Sequence, residues 1–234
     1  MRLSKVLGVR RVKLRNRIFT LGVIITGMLS IAFALITFYG QNAGNFVMSV
    51  DTLARQRGIA ISDDPEFTFS TSRLMSDPID DARDVTYAWL KLDEIEETNG
   101  NYVDPDHDYV AYTFYIKNEG LETVDLSYYI RITEVYNDLD KAIRVLVIDD
   151  GEETMFMKPD TTNINTYPDY MPIGQHFETQ MTVMRKLIPN FRPGDIRKFT
   201  VVVWLEGNDP DTTDEILGGM IKMQMNFTIY GFEE

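Results

Sequence analysis

Two acidic runs come nearest to chemistry by residue type and spacing. Asp104, Asp106 and Asp108 alternate within D-P-D-H-D, an arrangement that can present carboxylate oxygens to a hard cation such as calcium. An EF-hand loop starting at Asp104 needs glycine and a closing carboxylate where this chain has Tyr109 and Tyr115, so that geometry is excluded. An irregular calcium loop remains, beside the commoner arrangement for exposed carboxylates, a solvated acidic turn. Asp209 and Asp211, followed by Asp214 and Glu215, carry the same two readings.

The remaining chemistry is sparse. The two histidines, His107 and His176, fall in different loops, and no H-E-x-x-H pair, G-x-S-x-G elbow or Gly-rich phosphate loop occurs. The lack of cysteine removes a catalytic thiol, a thiolate metal site and a disulfide framework together. Glu96-Glu97 and Glu152-Glu153 read as exposed turn charges, since no apolar surroundings separate their pKa values as an acid/base dyad requires. Trp204 closes an apolar strand ahead of the chain reversal at Glu206 to Pro210 and reads as a packing residue. The expectation is a protein without catalytic residues or cofactor, with calcium at the acidic runs as the one metal to consider.

What must position these residues begins with Ile18 to Tyr39, twenty-two residues without a charge. At a rise of ~1.5 Å per residue this stretch crosses a ~30 Å hydrocarbon core. Residues 1–17 hold seven Lys/Arg and no acid, leaving 16 Lys/Arg against 36 Asp/Glu downstream. The positive-inside rule then places residues 1–17 in the cytoplasm, 18–39 across the membrane and residues 45–234 outside the cell membrane. So acidic a domain is no partner for nucleic acid. The alternative to an anchor is a signal peptide cleaved near Ala43, although the apolar run is longer than signal regions usually are. Gly22, Thr26, Ser30 and Ala34 recur every fourth residue, a small-residue stripe that suits lateral association with a copy or another subunit.

Beyond the span, Phe46, Met48 and Val50 mark a short strand immediately outside the membrane. Asp51 to Asp84 lacks periodicity and reads as loop, with one helical turn near Thr52 to Arg57. Strands are expected at Val85–Leu92, Tyr109–Lys117, Val124–Thr133, Ala142–Ile148, Thr154–Met157, Phe177–Arg185, Lys198–Leu205 and Ile221–Tyr230. The acidic run Asp93 to Gly100 reads as an exposed connection, Asn118 to Thr123 as the turn of a hairpin, and Thr161 to Gly174 as loop. About eight strands without an amphipathic helix predict an all-β fold, an antiparallel β-sandwich preceded by one transmembrane helix.

Gly44-Asn45-Phe46 directly after the apolar segment, Y-I-K-N-x-G at Tyr115 to Gly120, and V-W-L-E-G-x-D-P at Val203 to Pro210 together resemble the TasA/camelysin-type surface proteins of Gram-positive bacteria. The resemblance implies a jelly-roll-like sandwich at the bacterial cell surface and, in some members, assembly into matrix fibres by strand exchange. Thr212 and Thr213 stand where many such sequences carry a cysteine. No ligand set accompanies the metalloprotease activity ascribed to camelysin. The expected function is a membrane-anchored surface interaction or structural module. It would bind a protein partner or its own copies through the small-residue stripe, through Phe46, Met48 and Val50, and through exposed strand edges. Alternatives are a secreted fibre subunit, an accessory subunit of a membrane complex and, last, a metal-dependent hydrolase using His107, His176 and the two Asp clusters.

Overall fold

A computed structural model describes residues 17–34, 45–160 and 168–231, divided into one unit within Met1–Ala43 and another within Gly44–Glu234. In the first unit, helix α1 (Arg17–Ala34) is long and apolar enough to cross a membrane, and its side chains are exposed along its length. The basic tail through residue 16, the end of the expected span at 35–39, and 40–44 with the candidate cleavage site lie outside the described residues.

Among its described residues the second unit has twelve strands and two short α-helices. In chain order these are β1 (Asn45–Val50), α2 (Thr52–Gln56), β2 (Ile59–Ser62), β3 (Arg73–Met75), α3 (Leu92–Glu97), β4 (Gly100–Tyr102), β5 (Val110–Asn118) and β6 (Val124–Tyr136). There follow β7 (Ile143–Asp149), β8 (Glu152–Met157), β9 (Gln175–His176), β10 (Thr182–Phe191), β11 (Ile196–Leu205) and β12 (Met220–Ile229). The first sheet runs β10-β6-β12-β1-β3; the second runs β2-β5-β11-β7-β8-β9, with β4 also on β5. Both are mixed rather than wholly antiparallel, because β1 pairs with β12 and β8 with β9 in parallel.

The layers are sandwich-like, and their common core follows from alternation. Met223, Met225, Phe227 and Ile229 of β12 turn inward with Tyr128 and Ile130 of β6, facing Phe114, Phe199 and Val201 of the second sheet. The Phe199 ring lies 5.1 Å from Tyr128 and 5.3 Å from Phe227 between centroids, both edge-on, so aromatic contacts join the two layers. The Tyr128 hydroxyl also reaches across to donate to Asp149 on β7, and Arg197 Nε donates to the same carboxylate at 2.5 Å.

The expected strand at Val85–Leu92 and exposed connection at Asp93–Gly100 are replaced by a 3-10 turn (Tyr87–Trp89) and α3. Val85, Leu90 and Ile95 lie over the outer face of the second sheet, on Ala111, Leu146 and Val202. Their apolar character serves this cover rather than a period-two strand. It also leaves β7 buried on both faces, which explains its nearly continuous apolar run.

The expected hairpin at Asn118 to Thr123 is instead a passage between layers, since β5 pairs with β2, β4 and β11 while β6 pairs with β10 and β12. Buried Asn118 holds this passage: its Nδ2 donates to the carbonyls of Glu122 and Phe191, and its Oδ1 accepts from Gly120 N–H, each at 2.9 Å. A Cβ on Gly120 would fall 2.1 Å from the Arg57 carbonyl oxygen, which explains the glycine. Within Asp51–Asp84 the structure adds β2 and β3 to the expected helical turn, strands too short to show periodicity. The expected strand at Phe177–Arg185 is shifted to β10 and runs through Pro189. That position is tolerated because β10 is an edge strand with a register shift between Ile188 and Phe191.

Candidate functional site

The most concentrated buried chemistry lies where β11 ends. Trp204 is 2% exposed and donates its Nε1–H to Glu206 Oε2 at 2.9 Å, while Glu206 Oε1 accepts from the Asn208 backbone N–H at 3.0 Å. Glu206 is fully buried, a position a carboxylate holds only with donors around it. Its backbone is tied to Val85, which donates N–H to Leu205 O and accepts from Gly207 N–H. Three residues beyond Glu206, Asp209 pairs with Arg144 of β7 at 2.5 Å, both side chains inaccessible to solvent. Burial drives the Asp209 carboxyl above its ordinary pKa, against the opposing pull of the Arg144 guanidinium and the Asp211 N–H.

Carboxylate oxygens of Asp160, Asp209 and Asp211 lie within 4.8 Å of one another, close enough for a hard cation to bridge. The Arg144 guanidinium against Asp209 already supplies positive charge there, so the arrangement reads first as a buried ion network pinning the turn. Of this group, sequence reasoning singled out Asp209, Asp211 and Trp204 and missed Arg144, Glu206 and Asp160. A lone arginine inside the apolar run I-R-V-L-V-I was the available signal, because such a charge requires a buried partner.

The other acidic run is organised differently. Asp104 is buried and accepts from the N–H groups of Asp106 at 2.8 Å and His107 at 3.1 Å and from the Tyr109 hydroxyl at 2.9 Å. Lys91 Nζ lies 3.4 Å from Asp104 and 3.3 Å from Asp106, so an ammonium stands between two of the three carboxylates proposed for calcium; Asp108 is exposed. The expected solvated turn thus holds for Asp106 and Asp108 and not for Asp104. Burial pushes Asp104 up, and the hydrogen bonds from Asp106, Tyr109, Lys91 and His107 outweigh it, leaving its pKa below the ordinary value.

Known protein families, curated proteins and solved structures show no match to this chain.

The histidines of the hydrolase alternative are kept apart. His107 follows β4 and stacks on Trp89 at 5.1 Å, whereas His176 lies in β9 at the far side of the same sheet. β4 and β9 are five strand spacings apart, about 24 Å, so one metal ion cannot draw on both regions.

The expected contact residues of β1 also require correction. β1 lies between β12 and β3, and Phe46, Met48 and Val50 are 1%, 0% and 6% exposed, part of the shared core. A strand paired on both sides has no edge to offer. On α1, Gly22, Thr26, Ser30 and Ala34 do share one helical face. Thr26 Oγ1 donates to Gly22 O and Ser30 Oγ to Thr26 O, both at 2.9 Å, so these hydroxyls are satisfied without a second helix.

Proposed function

We propose that this protein is a single-pass membrane-anchored module whose sandwich domain is displayed outside the membrane and works by binding a protein partner or copies of itself rather than by catalysis. The carrying observation is α1, an apolar helix with no buried face, joined in one chain to a folded acidic domain. The basic residues before it give the direction, with the tail in the cytoplasm. The resemblance to TasA/camelysin-type proteins supports a cell-surface setting. The best-defined block of that resemblance, Val203 to Pro210, contains the Trp204–Glu206 bond and Asp209, residues that brace a turn.

The test is the mass and location of the mature chain, together with its exposure to protease on intact cells. Full-length protein in the membrane fraction, with the sandwich accessible from outside, is the expected result. A mature N-terminus near Gly44 in the medium would replace the anchored module with a secreted fibre subunit. Co-purification with fixed stoichiometry after mild detergent extraction would identify a membrane complex as the partner.

A further inference from the structure

Any pull on the sandwich from its N-terminal side enters through β1, and the neighbours of β1 grip it on both sides. Along β12 it runs parallel in an unbroken register, from Asn45 opposite Lys222 to Val50 opposite Phe227, closed by Asp51 N–H donating to Phe227 O at 3.0 Å. Along β3 it runs antiparallel, from Val47 opposite Met75 to Ser49 opposite Arg73. That second ladder is prolonged at both ends. Phe46 N–H donates to Ser76 Oγ at 3.1 Å, Ser76 N–H donates to Phe46 O at 2.9 Å, and Val50 N–H donates to Ser72 O at 2.9 Å.

Side chains reinforce the backbone. Phe46, Met48 and Val50 are seated in the core, and on the outer face Gln224 Nε2 donates to Ser49 Oγ at 2.9 Å while Ser49 donates to Asn226 Oδ1 at 2.5 Å, a staple between β1 and β12. The chain that leaves β1 is held as well. Asp51 caps α2 by accepting from Ala54 N–H at 2.6 Å, Ala54 is buried in the same core, and Glu119 N–H donates to Gly58 O at 2.8 Å where Gly58 meets Gly120.

The direction of load decides what this grip can resist. β1 and β12 start at one end of the sandwich, with Asn45 opposite Lys222, and run side by side to the other. Force applied at Asn45 and at the far end acts along the strands and loads every pair of both ladders together. Force applied at Asn45 and at the start of β12 opens the pairs one after another. A single ladder hydrogen bond contributes little, so the number broken at once sets the barrier to forced unfolding.

We propose that β1, β12 and β3 form a mechanical clamp, and that the sandwich is a load-bearing link that carries tension between the membrane and a protein held at its far end. The fixed end rests on the membrane-anchored reading above; the clamp does not. The same contacts oppose release of β1 from its sheet.

The chain has no cysteine, so thiol handles attach only where they are introduced. The full chain in detergent micelles is held in optical tweezers through Asn45→Cys with Tyr230→Cys for axial load, or through Asn45→Cys with Leu217→Cys for load at one end, Tyr230 and Leu217 both being exposed. Leu121→Cys, exposed at the far end between β5 and β6, serves as a second axial handle and must give the same result. At equal loading rate, and with wild-type urea midpoints, the axial unfolding force is expected to be several-fold the one-end force. An axial force equal to or below the one-end force, or detachment of β1 as an early low-force step under axial load, overturns the proposal. Such a result would stand even with α1 retained in the membrane fraction, whereas loss of α1 in that fractionation would overturn the anchor and not the contrast in force.

Discussion

The charges that matter most here are those removed from water. Arg144→Met would leave Asp209 buried beside Glu206 without its guanidinium, so we expect a loss of about 3–5 kcal/mol in urea unfolding. Replacing Arg144 and Asp209 together by apolar residues should cost clearly less, because the closest ion pair is then removed as a unit rather than split. Asp104 supplies a pH dependence with a definite sign. Its folded pKa lies below the unfolded value, so its contribution is fully present above the unfolded pKa of ~3.9 and is lost as pH falls through the folded pKa. In urea midpoints measured against pH, Asp104→Asn should flatten this acid limb. At this scale the sequence shows which residues are acidic but not which are buried. Asp104 and Asp106 are two residues apart and of one type, yet one faces Tyr109 inside and the other faces solvent.

Elements were legible where one face is buried and the other wet, as in β12, and misleading where local and tertiary causes of an apolar pattern coincide. Val85–Leu92 has strand composition because it blankets a sheet, and nothing local distinguishes this from pairing within one. The passage from β5 to β6 has the residues of a hairpin turn, and only buried Asn118 and the close approach of Gly120 to Arg57 reveal a change of layer. Gly120→Ala should therefore cost about 1–3 kcal/mol through overpacking, read as a lower thermal midpoint without change in the far-ultraviolet spectrum. Phe199→Ala, which removes the ring touching both Tyr128 and Phe227, should cost about 3–5 kcal/mol.

For the whole molecule, a sandwich fold behind a possible membrane span could be read in advance, because composition and period two are global signals. The order of strands within each sheet could not be, since pairing depends on contacts between distant parts of the chain. That order constrains how the protein comes into being. The first strand of the sandwich, β1, has the last strand, β12, as its parallel neighbour, with Phe46 opposite Met223. Until the final segment has been synthesised, one side of β1 and the inner side of β6 stand open. At ~5–20 residues per second, that interval is on the order of 10–40 s after β1 emerges. A chain stopped before Met220 should remain protease-sensitive throughout, whereas supplying the β12 segment as a separate peptide should restore resistance. The first sheet thus closes only when β12 is in place between β6 and β1, and a copy interrupted before it keeps two unpaired strand edges.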